Sequence, residues 1–432
     1  MTQKDETIAV IGLGYVGLPL AILFSRYYTV IGYDQSKKRV AELNQFQDIT
    51  NEVAPGALRE VLELVGESNG KNGLTITDSS ALIANCDVYI VAVPTPVDDK
   101  LLPDLSLLRQ ASHLIASVLK KGDLVIYEST VYPGCTEEEM IPILQQVAGL
   151  KVNEDFGVGY SPERVSPGDR SKQVENIVKV TSGSDLFFAQ RVDGLYRSVI
   201  KAGTYLAPSI KIAEAAKVIE NTQRDVNIAF MNELSKIFSA LDIDLMEVLK
   251  AAQTKWNFLP FHPGLVGGHC IGVDPYYLIH KSRQVGYDPE LIRSARNLND
   301  GMSAYVANRM VSLMERKGIQ IQGGSVLIVG ASFKENTSDI RNSRVFDLMH
   351  HLSVYQLKVE LYDPLVDRDE VRNLYGKACY SSQDQLQGYD GIIYAVPHLV
   401  FKGFDFARFL KTPSVLYDLH GFVTDSAVDE TL

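Results

Sequence analysis

Cys270 lies in Gly267-Gly268-His269-Cys270-Ile271-Gly272-Val273-Asp274-Pro275, a glycine-rich bend with a carboxylate four residues after the thiol. Near the start of the chain, Gly12-Leu13-Gly14-Tyr15-Val16-Gly17 has the spacing of a dinucleotide-binding turn. A hydride acceptor and a nucleophilic thiol in one chain point to oxidation through an aldehyde to an acid, with the cysteine holding the intermediate as a thioester. A free thiol has a pKa of about 8.5, so the nucleophile needs help. Lys217, a bound NAD⁺ or a nest of backbone N–H groups could supply it. His269 invites a Cys–His reading, but sequence neighbours usually point apart, and redox chemistry already accounts for the thiol.

The turn at Gly12 has the context its chemistry requires. It follows an apolar strand, opens a helix, and is followed by Asp34 twenty residues after Gly14. Gly12 allows the tight turn, Gly14 lets backbone approach a pyrophosphate, and Gly17 lets helix and strand pack closely. The pyrophosphate would sit on the N–H groups of the helix N-terminus. Asp34 would accept hydrogen bonds from ribose hydroxyls and repel a 2′-phosphate, which favours NAD over NADP. Lys37, Lys38 and Arg39 put positive charge nearby. Thr95 and Thr130 fall where two further strands end, the edge at which doubly wound sheets bind ligands. They are read as contacts to cofactor or to a catalytic water, against ordinary loop threonines.

Lys217 and Asn221 are four apart on a helix and share a face, with Glu214 one turn earlier. Such a stripe is usually solvated. The alternative is a buried ammonium and amide that hold a developing oxyanion. Asp274 and Glu163 are candidate bases for positioning or deprotonating water.

These residues need elements to carry them. Ile8-Ala9-Val10-Ile11, Thr29–Tyr33, Val88–Val93 and Leu124–Tyr127 read as buried parallel strands spaced by helices, a doubly wound α/β sheet. Ile210 to Phe238 contains neither Gly nor Pro and reads as one long helix. At Ser325–Gly330 a strand-then-glycine opening returns, followed by Val359–Pro364, as a second, smaller α/β domain without the full glycine fingerprint. The expected plan is two Rossmann-like domains joined by a long central helix: 1–203 NAD-binding, 204–315 helical with the cysteine, and 316–432 a second Rossmann-like domain.

Composition narrows the class. A chain of 432 residues predicts more than one domain, and 46% apolar residues are ample for ordinary cores. A net charge of −11 argues against nucleic acid. The polar, acidic start is no signal peptide, and no apolar run reaches the ~20 residues of a membrane helix, so a cytoplasmic protein without a membrane partner is expected. Cys86, Cys135 and Cys379 are read as reduced core thiols. No metal is expected, since the cysteines lack zinc spacing.

Over its whole length the chain resembles the UDP-glucose/GDP-mannose dehydrogenase family. The resemblance rests on Gly12 to Pro19, Pro94-Thr95-Pro96, Ser129-Thr130-Val131, Ser161-Pro162-Glu163, Glu214 to Asn221, Gly267 to Asp274, Phe333-Lys334 and Asp339-Ile340-Arg341. Lys255 to Phe261 and Val266 to Tyr277 look most like its N-acetylhexosamine branch. The resemblance implies four-electron oxidation of UDP-N-acetylglucosamine at C6 for surface polysaccharide, with UDP-N-acetylgalactosamine or UDP-glucose as alternatives. It matches Cys270 to the nucleophile, Lys217 and Asn221 to the oxyanion-stabilising pair, and Asp274, Thr130 and Glu163 to water and proton transfers. It implies cofactor contacts at Gly12, Leu13, Gly14, Tyr15, Val16, Gly17, Asp34, Arg39, Thr95, Thr130 and Arg341. Substrate contacts are implied at Glu163, Arg164, Lys217, Asn221, Phe261, Gly267 and Lys334, with the UDP-sugar between the two α/β domains. The UDP-glucose branch has Gly-Phe-Gly-Gly-Ser before its cysteine where this chain has His269, and a second glutamate where this chain has Pro167. No role passes to that position. Lys255, Asn257 and His262 are candidates for reading the sugar's C4.

Two rivals share parts of the pattern. A two-electron hydroxyacid dehydrogenase has a Rossmann domain and a Lys/Asn helical pair but needs no thiol. A non-enzymatic NAD sensor needs neither. The long helix also suggests a homodimer or higher homo-oligomer, because it can bury a second face only against another domain or subunit.

Overall fold

The computed structural model describes residues 6–50, 52–67, 72–165, 174–423 and 428–432. Pro167 lies outside them. Among the described residues the chain forms two sheets, each in its own compact unit. One unit is Met1–Glu220 with Tyr276–Tyr287; the other is Asn221–Pro275 with Asp288–Leu432.

In the first unit the strands are β1 (Thr7–Ile11), β2 (Thr29–Tyr33), β3 (Gly73–Thr77), β4 (Val88–Val91), β5 (Leu124–Tyr127), β6 (Gly157–Tyr160), β7 (Lys179–Gly183) and β8 (Thr204–Leu206). They lie in the order β3-β2-β1-β4-β5-β6-β7-β8, parallel except where β6 meets β7. The first six follow the order of a dinucleotide-binding Rossmann fold, with the reversal between β1 and β4. Val88–Val91 and Leu124–Tyr127 are apolar without alternation because both faces of the sheet are covered. Each such fully buried side chain contributes about 1.5–3 kcal/mol.

The second unit holds β9 (Ser325–Val329), β10 (Lys358–Tyr362), β11 (Tyr389–Tyr394), β12 (Leu410–Asp418) and β13 (Glu430–Thr431). They form a parallel sheet in the order β10-β9-β11-β12-β13. Its core includes Met310, Val326, Ile328, Met349 and Ile393. Both sheets are Rossmann-like, as expected.

The long helix runs Ile210–Ala240 over 31 residues, about 46 Å at 1.5 Å per residue. Ser209 Oγ accepts the Ile212 N–H at 3.3 Å at its start. At its end Asp242 turns left-handed (φ 55°) and the Ile243 N–H reaches back to Phe238 O at 2.9 Å, which satisfies carbonyls the last turn leaves open. No helix of the described residues is long and apolar enough to cross a membrane.

Candidate active site

The nucleotide-binding turn is shaped by what its glycines lack. Gly12 has φ +92°, and a Cβ on Gly17 would stand 1.8 Å from Gly12 O, so neither position tolerates a side chain. A Cβ on Gly14 would meet no protein atom within 4 Å. Gly14 therefore opens on space a pyrophosphate can take, and the turn fits a dinucleotide. Gly17 begins the helix Gly17–Ser25, with Val16 capping it and Tyr15 half-buried before it.

Asp34 ends the β2 loop and holds this turn in place. Its Oδ2 accepts the Leu13 N–H at 3.0 Å and its Oδ1 the Ser36 N–H at 2.9 Å. Arg39 turns inward rather than toward solvent. Its Nε donates to Leu13 O at 3.0 Å and its Nη2 to Asp48 at 2.7 Å. Nη1 is buried with no protein partner. Lys37 and Lys38 stay exposed. The cationic cluster beside Asp34 is thus split, with Arg39 already committed to the turn.

The loops after β4 and β5 are stitched together. Thr95 Oγ1 donates to Thr130 O at 2.7 Å, and Ser129 Oγ to Val93 O at 2.6 Å. The Tyr277 hydroxyl closes over the same loop, donating to Thr95 O at 3.0 Å. Within this unit Glu163 is 7% exposed, and its Oε2 lies 3.9 Å from Lys217 Nζ, itself 4% exposed. Arg164 reaches sideways to Glu220, with Nη2 2.7 Å from Oε1. The solvated-stripe reading of Glu214 and Lys217 is therefore corrected, because that face of the helix packs inside the unit.

Glu214 is the clearest departure. It is fully buried and accepts the Gly134 N–H at 2.5 Å and the Thr136 N–H at 2.9 Å. Burial raises its pKa to about 7 against those hydrogen bonds. It anchors the loop after β5, eighty residues away in sequence.

In the second unit Asn221 Nδ2 donates to Asp274 Oδ2 at 2.6 Å. Asp274 is 3% exposed and begins the helix Asp274–Gln284, and its N–H donates to Cys270 O at 2.9 Å. The thiol bend is thus fastened to the carboxylate by backbone as well as by spacing. Cys270 is half-buried, whereas Cys86, Cys135 and Cys379 are buried. Burial pushes the Cys86 and Cys379 thiols up to about 12, which suits inert core thiols.

Of the flanking glycines, Gly267 and Gly268 also pack closely against the protein itself. A Cβ on Gly267 would stand 2.6 Å from Asn342 O, and one on Gly268 2.6 Å from the Phe333 ring. Gly272 alone of the three has no such neighbour. His269 Nδ1 is 3.8 Å from Asp339 Oδ2, and its ring meets Phe333 edge-on. Burial, then the Arg341 charge, lowers its pKa. Arg341 clasps Asp339 through Nε at 3.0 Å and Nη2 at 2.7 Å. Lys334 Nζ lies 6.0 Å from the Phe333 ring centroid. Phe261 packs with Phe258 on Met231, Leu245 and Leu249. Lys255, Asn257 and His262 are exposed.

Asn232, which sequence reasoning passed over, clamps the segment leading to the thiol. Its Nδ2 donates to Gly264 O at 3.0 Å and its Oδ1 accepts the Gly264 N–H at 2.8 Å. Behind it, Asn299 Nδ2 donates to Asp225 Oδ1 at 2.8 Å, and Arg296 pairs with the same carboxylate. An Asp and an Asn seven apart on a helix were the available signal.

Residues 6–200 match the NAD binding domain of the UDP-glucose/GDP-mannose dehydrogenase family, 211–301 its central domain and 327–425 its UDP binding domain. The chain belongs to this family. It is accordingly an NAD-dependent dehydrogenase with a UDP binding domain, as the resemblance implied. It is 50% identical over 430 residues to the UDP-N-acetyl-D-glucosamine 6-dehydrogenase of Pseudomonas aeruginosa, covering 99% of both chains. It is 52% identical over 419 residues to the enzyme of that name from Salmonella typhi, covering 96% of both. A solved UDP-D-ManNAc dehydrogenase from Pyrococcus horikoshii superposes with a TM-score of 0.87 at 32% identity, covering 98% of both chains. Membership rules out a non-enzymatic sensor and a plain hydroxyacid dehydrogenase.

Proposed function

We propose that this enzyme oxidises UDP-N-acetylglucosamine at C6 to the uronate, in the sense RCH₂OH + 2 NAD⁺ + H₂O → RCOO⁻ + 2 NADH + 3 H⁺. The substrate rests on the two relatives of that activity at 50% and 52% identity. The route rests on one observation: Cys270 is the half-buried cysteine, fastened through its carbonyl to the residue that binds Asn221.

Bound NAD⁺ supplies the acceptor for each hydride. The Cys270 sulfur adds to the C6 aldehyde as a thiohemiacetal, and loss of a second hydride leaves a thioester. Water then adds to the thioester carbonyl, the C–S bond breaks and the thiol is restored. Lys217 and the second N–H of the Asn221 amide donate to the oxyanion. Asp274 orients that amide, while Thr130 and Glu163 hold the water and take its proton. Lys334, Arg164, Phe261 and Gly267 are proposed substrate contacts, and Arg341 a cofactor contact. The working division is 1–203 for NAD, 204–315 for the thiol and 316–432 for UDP.

A cytoplasmic homodimer is the proposed setting. Ile212, Ile219, Phe230 and Ile237 on the long helix are exposed apolar side chains at seven-residue intervals within each pair, a stripe that suits a second copy. Use of the product in surface polysaccharide is proposed with it, as the family resemblance implies.

The test supplies UDP-N-acetylglucosamine in limiting amount with excess NAD⁺ and counts NADH per sugar. Two are expected. One would mean that oxidation stops at the aldehyde. None, with turnover of the galacto epimer or UDP-glucose, would move the substrate to that sugar.

A further inference from the structure

Glu128 and Lys179 form a buried ion pair that no step above uses. Glu128 follows β5 immediately before Ser129-Thr130, and Lys179 opens β7; their side chains are 0% and 7% exposed. The Lys179 ammonium meets Glu128 Oε2 and also donates to Pro162 O at 2.8 Å. The Tyr196 hydroxyl donates to the other carboxylate oxygen, and the ammonium lies 5.4 Å from the Tyr196 ring centroid. Backbone bonds meet at the same place. The Ser161 N–H donates to Tyr127 O at 2.9 Å and the Glu163 N–H to Glu128 O at 3.3 Å. Glu128, Glu163, Arg164 and Lys179 line one cavity with Val16 and Leu20 of the nucleotide-binding helix.

Such a pair is a poor source of stability, because desolvating two charges offsets their attraction, and apolar residues of similar volume often do as well. An apolar pair lacks two capacities, an acceptor for the Tyr196 hydroxyl and a donor for the Pro162 carbonyl. That carbonyl belongs to the peptide that carries Glu163. We infer that Lys179, held by Glu128 and Tyr196, is a positioning residue that fixes the Pro162–Glu163 peptide and so keeps the Glu163 carboxylate beside Lys217 for the attack of water on the thioester. The inference rests on the role proposed above for Glu163.

Four variants separate the two ideas: Glu163→Gln, the double variant Glu128→Leu/Lys179→Met, Lys179→Arg and Lys179→Met. Each is melted thermally and then mixed rapidly with UDP-N-acetylglucosamine and NAD⁺. The double variant, with no stranded charge, is expected to melt close to the parent. Its kcat should fall about 10- to 100-fold, with KM within about twofold. It should retain a first-turnover burst of NADH, since thioester formation precedes the impaired step, and Glu163→Gln should show the same burst and slow release. Lys179→Arg keeps donors for both Glu128 and the Pro162 carbonyl, and should recover most of the rate that Lys179→Met loses. Parental turnover in the double variant beside an impaired Glu163→Gln would overturn the positioning role, as would equal losses in Lys179→Arg and Lys179→Met. Parental turnover in Glu163→Gln would instead remove the base reading on which it rests, and no NADH from the parent would remove the substrate.

Discussion

Asn221 Nδ2 donates to Asp274 Oδ2 at 2.6 Å, joining the long helix to the residue four after Cys270. A carboxylate only accepts, so the bond fixes which end of the amide faces Asp274. It also leaves the second N–H on a side chain whose rotamer is set.

Asn221→Asp would place two carboxylates in contact, and one would have to hold a proton. The expected result is a kcat lower by about 100-fold or more with little change in KM, the signature of a lost oxyanion donor. Steady-state kinetics checks this. A defect confined to KM would make Asn221 a binding group.

Cys270→Ser should abolish uronate formation, because an alkoxide adduct cannot pass through a thioester. Mass spectrometry of the sugar nucleotide after prolonged incubation reads this directly. Substantial uronate would remove the thiol from the route.

Two glycines of the nucleotide-binding turn should behave in opposite ways. Gly17→Ala sets a Cβ 1.8 Å from Gly12 O and should cost about 1–3 kcal/mol of stability, seen as a lower Tm. Gly14→Ala meets no protein atom within 4 Å. It should leave Tm nearly unchanged while raising KM for NAD⁺, since the methyl group enters the space assigned to pyrophosphate. A normal KM for NAD⁺ in folded Gly14→Ala would move the pyrophosphate elsewhere.

Glu214 should make stability depend on pH. Its carboxyl is raised from 4.5 to about 7 by burial. Between those values the folded protein holds a proton that the unfolded chain has released. The contribution is complete on the acid side and is lost as pH rises through 7, by at most about 1.4 kcal/mol per pH unit. Denaturant midpoints measured from about pH 5 to about pH 8 should therefore fall more steeply for the parent than for Glu214→Gln. Parallel curves would show that Glu214 stays ionised throughout.

Where residues a few positions apart carry the signal, sequence reasoning reached the structure. The glycine turn, Asp34, the buried strands and the uninterrupted helix all depend on local backbone freedom, apolar runs and the 3.6-residue repeat. Even the second sheet was visible from its strand-then-glycine opening and from Val359–Pro364, which sets an acidic residue at a strand's end as the second strand ends at Asp34, although the part that residue plays was not. Asp363 accepts the Ala331 N–H at 2.7 Å, as Asp34 accepts that of Leu13. Yet Asp363 is wholly buried, and its Oδ2 lies 3.0 Å from His398 Nε2, so it has no face for a ribose.

Burial and distant partners decided the rest. Glu214, Lys217 and Asn221 look like one polar stripe, but the first anchors a loop eighty residues away, the second faces Glu163, and the third binds Asp274 across 53 residues. Gly267 and Gly268 stand where a side chain would collide with Asn342 and Phe333, neighbours that lie some seventy residues away along the chain. The sequence by itself determined which chemistry was available and which elements would carry it, because side-chain type and local periodicity are properties of neighbouring residues. Only tertiary structure decided which carboxylate orients an amide and which supports a loop. That depends on which groups, remote along the chain, meet where water is excluded and each must find a partner.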